Sequence, residues 1–306
     1  MPEISPGDVY TRLMGEVQKR IAGQRSTLEL MIIAMVANGH ALLEGVPGVA
    51  KTTMAKSLAE AVQADFGRIQ GTPDLEPRDI LGYTYLDEGN NVKVKEGPIF
   101  TNILLVDELN RMQPRTMSAL LESLGELQVT LGESTHALPK PFIAFATQNP
   151  LKIEGTEPIP KVLADRFLIK IDVGYPSMEQ EQEMLRLKEA EAQTTVNKVI
   201  GTQELTQLQQ MAKERVKMPD EIAAYVTKIV DATRKDMHAI MGASPRADIA
   251  FMQCGKARAL LQGRSEVSKD DIAFLARPVL SHRIAVRSTG GIGVHGIIDG
   301  ILATLG

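Results

Sequence analysis

The run Gly45-Val46-Pro47-Gly48-Val49-Ala50-Lys51-Thr52-Thr53 spaces glycines, a lysine and hydroxyls as a phosphate cradle requires. In such a loop the backbone N–H groups converge on phosphate oxygens, and the N-terminus of the following helix adds a partial positive charge. Lys51 is placed to reach the β- and γ-phosphates of a nucleotide, and the Thr52 hydroxyl to ligate Mg²⁺. The pattern expects glycine where Ala50 stands. A methyl group there crowds a close backbone approach, but it is the smallest possible change, and nucleotide binding is expected to survive it. Taken alone, the loop also fits a plain strand-to-helix turn with a chance lysine.

A second motif makes the first specific. Ile103-Leu104-Leu105-Val106 runs into Asp107-Glu108, an apolar strand ending in two acids. Placing one carboxylate beside another is costly unless a cation lies between them, so the pair argues for a metal. Thr147-Gln148-Asn149-Pro150 ends another apolar run, and Asp165-Arg166-Phe167 precedes a third. Ser244 reads as a helix N-cap with Pro245 at the first helical position, so Arg246 projects from the first turn. The plain alternatives are a solvated acidic turn, an Asn-Pro turn, a surface arginine paired with Asp165, and an exposed arginine on a capped helix.

The elements that must position these groups alternate. Val9, Leu13, Val17 and Ile21 lie on one helical face, and Leu28, Met31, Ile32, Met35 and Val36 mark a second helix. Short apolar runs at 41–44, 103–106 and 142–146 suit parallel strands covered on both faces, with further strands expected at 66–70 and 167–171. Helices between them carry Met54, Leu58 and Val62, and then Met117, Leu120, Leu121, Leu124 and Leu127. Strands alternating with helices predict an α/β fold with a parallel sheet. Tyr83–Leu86 and Val92–Lys95 flank Gly89-Asn90-Asn91 as a hairpin, and Gln128–Leu131 with the residues after Gly132 form another. After Gly174-Tyr175-Pro176 the pattern becomes helical. Ser177 with Gln180 and Ser268 with Asp271 read as capping boxes. One helix is striped by Ile222, Val226, Ile229 and Val230, another by Ile249, Met252, Ala257, Leu260 and Leu261. The expected division is an α/β domain over 1–174 and a helical lid over 175–306, with a glycine-rich tail at 288–293.

Composition narrows the function classes. The 306 residues are 43% hydrophobic and 24% charged, which is ordinary for a globular protein. A net charge of −4 offers no general attraction for nucleic acid. The hairpins, with Asp87, Glu88, Lys93, Lys95 and Glu96 in one and Glu133, His136 and Lys140 in the other, give no phosphate track. His136 reads as a solvated loop histidine. Cys254, the one cysteine, reads as a small buried helix residue. No signal peptide or membrane span is visible, and a cytoplasmic location is expected.

From about Ile21 to Arg246 the motifs resemble those of AAA+ ATPases. The resemblance implies ATP and ADP as ligands, with Gly45, Pro47, Gly48, Val49, Ala50, Lys51, Thr52 and Thr53 around the phosphates. It implies Asp107 as a Mg²⁺ holder beside Thr52, and Glu108 as the residue that orients or deprotonates water. It implies Asn149 as sensor 1, Arg166 as an arginine finger for the neighbouring subunit, and Arg246 as the sensor 2 arginine, in cis or in trans. Ile21-Ala22-Gly23-Gln24 is similar to the segment that borders the adenine. Finer features resemble the MoxR family: Gly71-Thr72-Pro73-Asp74-Leu75-Glu76-Pro77-Arg78-Asp79-Ile80-Leu81-Gly82, then Asp107-Glu108-Leu109-Asn110-Arg111, Ser118-Ala119-Leu120-Leu121-Glu122, Gly155-Thr156, and both hairpins. That family implies a hexameric ring and chaperone-like work on protein partners, often alongside von Willebrand factor A domain proteins. Two other readings stay open: a nucleic-acid motor of the same clade, and a nucleotide-dependent scaffold with little turnover, which Ala50 alone favours. A chelatase-like metal insertion role has no feature that selects it.

Overall fold

A computed structural model describes residues 5–150, 155–189, 195–286 and 292–305. Two helices open the chain, α1 (Pro6–Gln18) and α2 (Arg25–Val36). Val9, Leu13 and Val17 of α1 are buried, and so is Ile21, which lies beyond the helix end. From Leu30 to Val36 every residue of α2 is buried, so its apolar character reflects a core helix. β1 (Ala41–Gly45) leads through the glycine loop into α3 (Lys51–Ala61) and β2 (Phe66–Gln70). The short α4 (Pro77–Leu81) precedes the hairpin of β3 (Gly82–Leu86) and β4 (Val92–Glu96). Then come β5 (Ile103–Asp107), α5 (Pro114–Ser118) and α6 (Leu120–Glu126). The second hairpin is β6 (Gln128–Leu131) with β7 (Ser134–Ala137), followed by β8 (Ile143–Gln148), α7 (Lys161–Ala164) and β9 (Ile169–Val173). The last strand starts two residues later than the sequence suggests, because Asp165–Leu168 form the turn that leaves α7.

Five strands make a parallel sheet in the order β2-β5-β8-β1-β9. Its apolar runs are continuous because alternate side chains feed two cores. Leu43, Leu105, Phe145 and Ile171 face α1, α2, α3 and the helical second half. Leu42, Leu104, Val106 and Ala144 face α5 and α6. Each such fully buried Leu, Ile or Phe contributes about 1.5–3 kcal/mol. The parallel arrangement brings the carboxyl ends of β1, β5 and β8 to one edge, where α/β proteins place their ligands.

Among the described residues the second half is helical apart from one short antiparallel pair. It comprises α8 (Met178–Glu189), α9 (Thr202–Arg215), α10 (Asp220–Lys235), β10 (Ala239–Met241), α11 (Arg246–Leu261), α12 (Lys269–Leu280), β11 (Ala285–Val286) and α13 (Val294–Leu305). Both capping boxes form. The Ser177 N–H donates to Gln180 Oε1 (3.0 Å), and the Ser268 N–H donates to Asp271 Oδ2 (2.8 Å). One expectation is corrected here. Ile249 and Met252 do not belong to the buried stripe of α11 but are 51% and 37% exposed. Ala247, Ala250, Phe251 and Cys254 take the inner face with Ala257, Leu260 and Leu261, because α11 is packed against α1, α2, α9, α10 and α12 and only the side holding Ile249 and Met252 is left open. Cys254 is buried, and burial pushes its thiol up to about 12. The glycine-rich residues 288–291 lie outside the described residues. No helix among the described residues is long and apolar enough to cross a membrane.

Candidate functional site

The phosphate loop stands between the end of β1 and the start of α3. Gly45 is the last residue of β1, and a Cβ there would lie 2.5 Å from the Val173 carbonyl oxygen on β9. Gly48 turns the chain with φ +88° in open space, and Pro47 beside it is exposed. Val49 is buried and anchors the loop. Ala50 adopts φ 62°, ψ 20°, a left-handed conformation, so its departure from glycine strains the backbone as well as adding a methyl group. Lys51 curls back and donates to the Gly45 and Val46 carbonyl oxygens at 2.5 and 2.9 Å. Burial lowers its pKa, against the opposing pull of Asp107 and Glu108. Thr53, next on α3, is exposed.

The acidic end of β5 lies directly opposite. Thr52 Oγ1 donates to Asp107 Oδ2 (3.1 Å), and Thr147 Oγ1 at the end of β8 donates to Asp107 Oδ1 (2.8 Å). Thr147 also accepts from the Glu108 N–H at 2.8 Å, so one buried hydroxyl spans both acids. Glu108 is itself left-handed (φ 55°), a conformation that non-glycine residues hold only when their surroundings enforce it. Its carboxylate accepts from Arg111 Nη1 (2.9 Å) and Gln70 Nε2 (3.2 Å). Gly71 makes this turn possible: a Cβ there would lie 2.2 Å from the Glu108 carbonyl oxygen. Asn149 sits on the loop after β8, and Asn110 ties it down by donating to its carbonyl oxygen at 3.1 Å and accepting its N–H at 3.4 Å. Thr52, Asp107, Glu108 and Thr147 therefore converge in front of the phosphate loop, and Asn149 lies two residues further along the chain from Thr147.

Two arginines singled out from the sequence lie elsewhere, around Asp165. Ser244 Oγ donates to both Asp165 oxygens (3.2 and 3.0 Å), and Arg246 Nη1 lies 3.3 Å from Oδ2. Arg283, which no sequence motif marks, donates from Nε to Oδ1 at 3.0 Å with its side chain 2% exposed. Its remaining nitrogens cap the carbonyl oxygens of Phe167 (2.9 Å), Leu168 (3.1 Å) and Val279. The turn that carries Arg166 is thus gripped by α11 and the end of α12. Arg166 itself lies across Gly125 of α6, with its Nε buried and without a hydrogen-bond partner.

The sheet order, the loop and the paired acids find their counterparts in known proteins. Residues 40–169 match the model of the ATPase family associated with various cellular activities (AAA), and 231–291 match the AAA lid domain. The chain is 39% identical to Chaperone MoxR1 of Mycobacterium tuberculosis over 91% of this chain and 77% of that protein. It is 40% identical to the uncharacterized protein YeaC of Bacillus subtilis over 94% and 92%. A crystal structure from Cytophaga hutchinsonii, assigned as an ATPase, superposes with a TM-score of 0.89 at 35% identity and covers 97% of this chain and 94% of that one. This chain belongs to the MoxR family of AAA+ ATPases. The two hairpins stand outside the five-stranded sheet, one after β2 and one before β8.

In this MoxR-family chain the segment from Ile21 to Gln24 joins α1 to α2 beside α8. Ile21 is buried, and Gly23 (φ +69°) is covered by the Gln180 side chain of α8, which a Cβ would meet at 2.2 Å. Gln24 Nε2 donates to the Gly174 carbonyl oxygen at 3.0 Å, and a cavity of about 540 Å³ opens between this junction, Tyr175 and Gln180. A cross-strand network, too, is marked by no sequence motif. Lys170 Nζ bridges Glu44 Oε1 (2.7 Å) and Asp172 Oδ1 (3.3 Å), and Gln148 donates to Glu44, binding the ends of β9, β1 and β8 together. These residues are far apart in the chain, and their signal was only charge on otherwise apolar strands. His136, expected in a solvated loop, is half-buried on β7 and edge-on to Phe100 (6.5 Å).

Proposed function

We propose that this MoxR-family protein binds ATP with Mg²⁺, hydrolyses it at a site completed by a neighbouring subunit, and uses the cycle to remodel a protein client. The convergence of Thr52, Asp107, Thr147 and Glu108 in front of the phosphate loop carries this reading. Thr52 and Asp107 supply hard oxygens within 3.1 Å of each other, the donor chemistry that Mg²⁺ takes. Two protein ligands suit an ion that draws its remaining ligands from water and nucleotide phosphates. Bound Mg²⁺ would offset the charge on the β- and γ-phosphates.

The protein's own residues then have distinct parts. Lys51 exchanges its loop carbonyls for the phosphates, and Gly45 to Thr53 supply the N–H cradle. Glu108 orients the attacking water and accepts its proton, and Asn149 contacts the γ-phosphate and that water. Arg166 reaches the nucleotide of the next subunit, and Arg246 couples the lid to the nucleotide state by leaving Asp165. Ile21 and Gly23 border the adenine. The working division falls at Gly174–Ser177, with 1–174 as nucleotide domain and 175–306 as lid. A cytoplasmic hexameric ring whose client includes a von Willebrand factor A domain protein completes the reading.

ATP turnover against protein concentration tests it. Activity per subunit is expected to rise with concentration, and Glu108→Gln and Arg166→Ala are expected to bind ATP without turnover. Unchanged turnover in Arg166→Ala would refute the shared site. Binding without wild-type turnover at every concentration would favour a scaffold instead.

A further inference from the structure

The edge strand β2 turns two polar side chains toward the end of β5. Arg68 Nη2 lies 2.8 Å from Asp107 Oδ2, the same oxygen that accepts from Thr52. Gln70 Oε1 accepts from that Arg68 nitrogen at 2.6 Å and holds the guanidinium in place. Thr147 occupies Asp107 Oδ1. Both carboxylate oxygens are therefore engaged, and the cation nearest to them is Arg68. Glu108 has its own counter-charge in Arg111. Arg68 is 48% exposed and sits on a strand paired only with β5, so the side chain has room to withdraw.

We infer that Arg68 is a resident cation that holds Asp107 in the nucleotide-free protein and must be displaced before Mg²⁺ can settle between Thr52 and Asp107. The inference rests on the nucleotide-site reading above. A divalent ion ligated at Asp107 would share one carboxylate oxygen with a guanidinium, and two cations in contact with one oxygen repel. The negative charge that tips the exchange toward the metal comes from the nucleotide phosphates. Asp107 thus stays neutralised at rest, and the metal loads together with nucleotide. Arg68 accordingly sets the Mg²⁺ concentration at which the site fills.

The test titrates Mg²⁺ against a fluorescent N-methylanthraniloyl-ATP bound to full-length protein at constant ionic strength. Wild type, Arg68→Gln and Arg68→Lys are compared. Arg68→Gln removes the competing charge, and its Mg²⁺ half-saturation is expected to fall about two- to fivefold, the range of a half-exposed ion pair. Arg68→Lys keeps a cation and is expected to stay near wild type. An unchanged or raised half-saturation in Arg68→Gln, or an equal fall in both variants, overturns the inference and leaves the nucleotide site standing. A wild type that binds the probe with no Mg²⁺ dependence overturns the inference alone, and one that does not bind the probe at any Mg²⁺ concentration overturns both. Thermal melts in EDTA check that each variant is folded.

Discussion

Replacing Ala50 by glycine tests whether the phosphate loop is strained as its backbone shows. Ala50 holds φ 62°, ψ 20°, and its carbonyl oxygen accepts from the Met54 N–H at 2.9 Å to start α3, so the conformation is locked by the helix it begins. An L-residue in this region pays about 1–2 kcal/mol relative to a helical backbone. Glycine removes that cost but gives the unfolded chain about 0.4–1 kcal/mol more entropy to lose. The net expectation for Ala50→Gly is a gain of roughly 0.5–1 kcal/mol, or about 1–3 °C in Tm for a chain of this size. Calorimetric melting without nucleotide measures it. Ala50→Val, which places a branched Cβ in the same region, is expected to lose at least about 1 kcal/mol. The strain is the same with and without ligand if the loop keeps its shape, so the nucleotide Kd of Ala50→Gly is expected to stay within about twofold. A Tm that falls in Ala50→Gly, or one unchanged in both variants, would refute a left-handed Ala50.

Two further outcomes follow from particular contacts. Gly125→Ala places a Cβ 2.0 Å from Arg166 Nη1, so the guanidinium must move while the fold survives. Turnover is expected to fall at least about tenfold, a fraction of what an arginine finger contributes, with nucleotide Kd unchanged; equal kcat would mean that the resting place of Arg166 has no bearing on its work. His40 and His282 are buried, with His40 accepting the Ala144 N–H at 3.0 Å on Nδ1. Burial lowers the pKa of His40 to about 4 and holds His282 well below its usual value. The unfolded chain therefore binds more protons below its ordinary histidine pKa of about 6.5, and stability is lost as pH falls from there toward 4. Each histidine contributes a slope of up to about 1.4 kcal/mol per pH unit. Urea unfolding between pH 7 and 5 checks it, and a flat profile would mean that the histidines are not held neutral.

Much of the architecture was legible because the physics that sets it is local. A strand covered on both faces must be apolar throughout, so β1, β5 and β8 stood out. A glycine loop between a strand and a helix is a short-range pattern, as are the two capping boxes and the two hairpins. Lys51, Thr52, Asp107 and Glu108 could be singled out because loop and strand end each carry their chemistry within a few residues. Two of the five residues of the α11 stripe failed for the opposite reason, while Ala257, Leu260 and Leu261 are buried. Helical periodicity proposed Ile249 and Met252 as core, but which side stays open depends on where α1, α2, α9, α10 and α12 lie, and they cover Ala247, Ala250, Phe251 and Cys254 instead.

The sequence by itself determined the strand-to-helix grammar, the phosphate loop and the acidic strand end, since each depends on neighbours in the chain. Only the tertiary structure decided which cations meet those acids. The order β2-β5-β8-β1-β9 sets β2 beside β5, and so brings Arg68 and Gln70 to Asp107 and Glu108 across some 38 to 39 residues. Packing of the lid against β9 buries Arg283 on Asp165 across 118 residues. No spacing rule encodes such encounters, because charged side chains far apart in the chain find each other only after the apolar surfaces have fixed where every backbone runs.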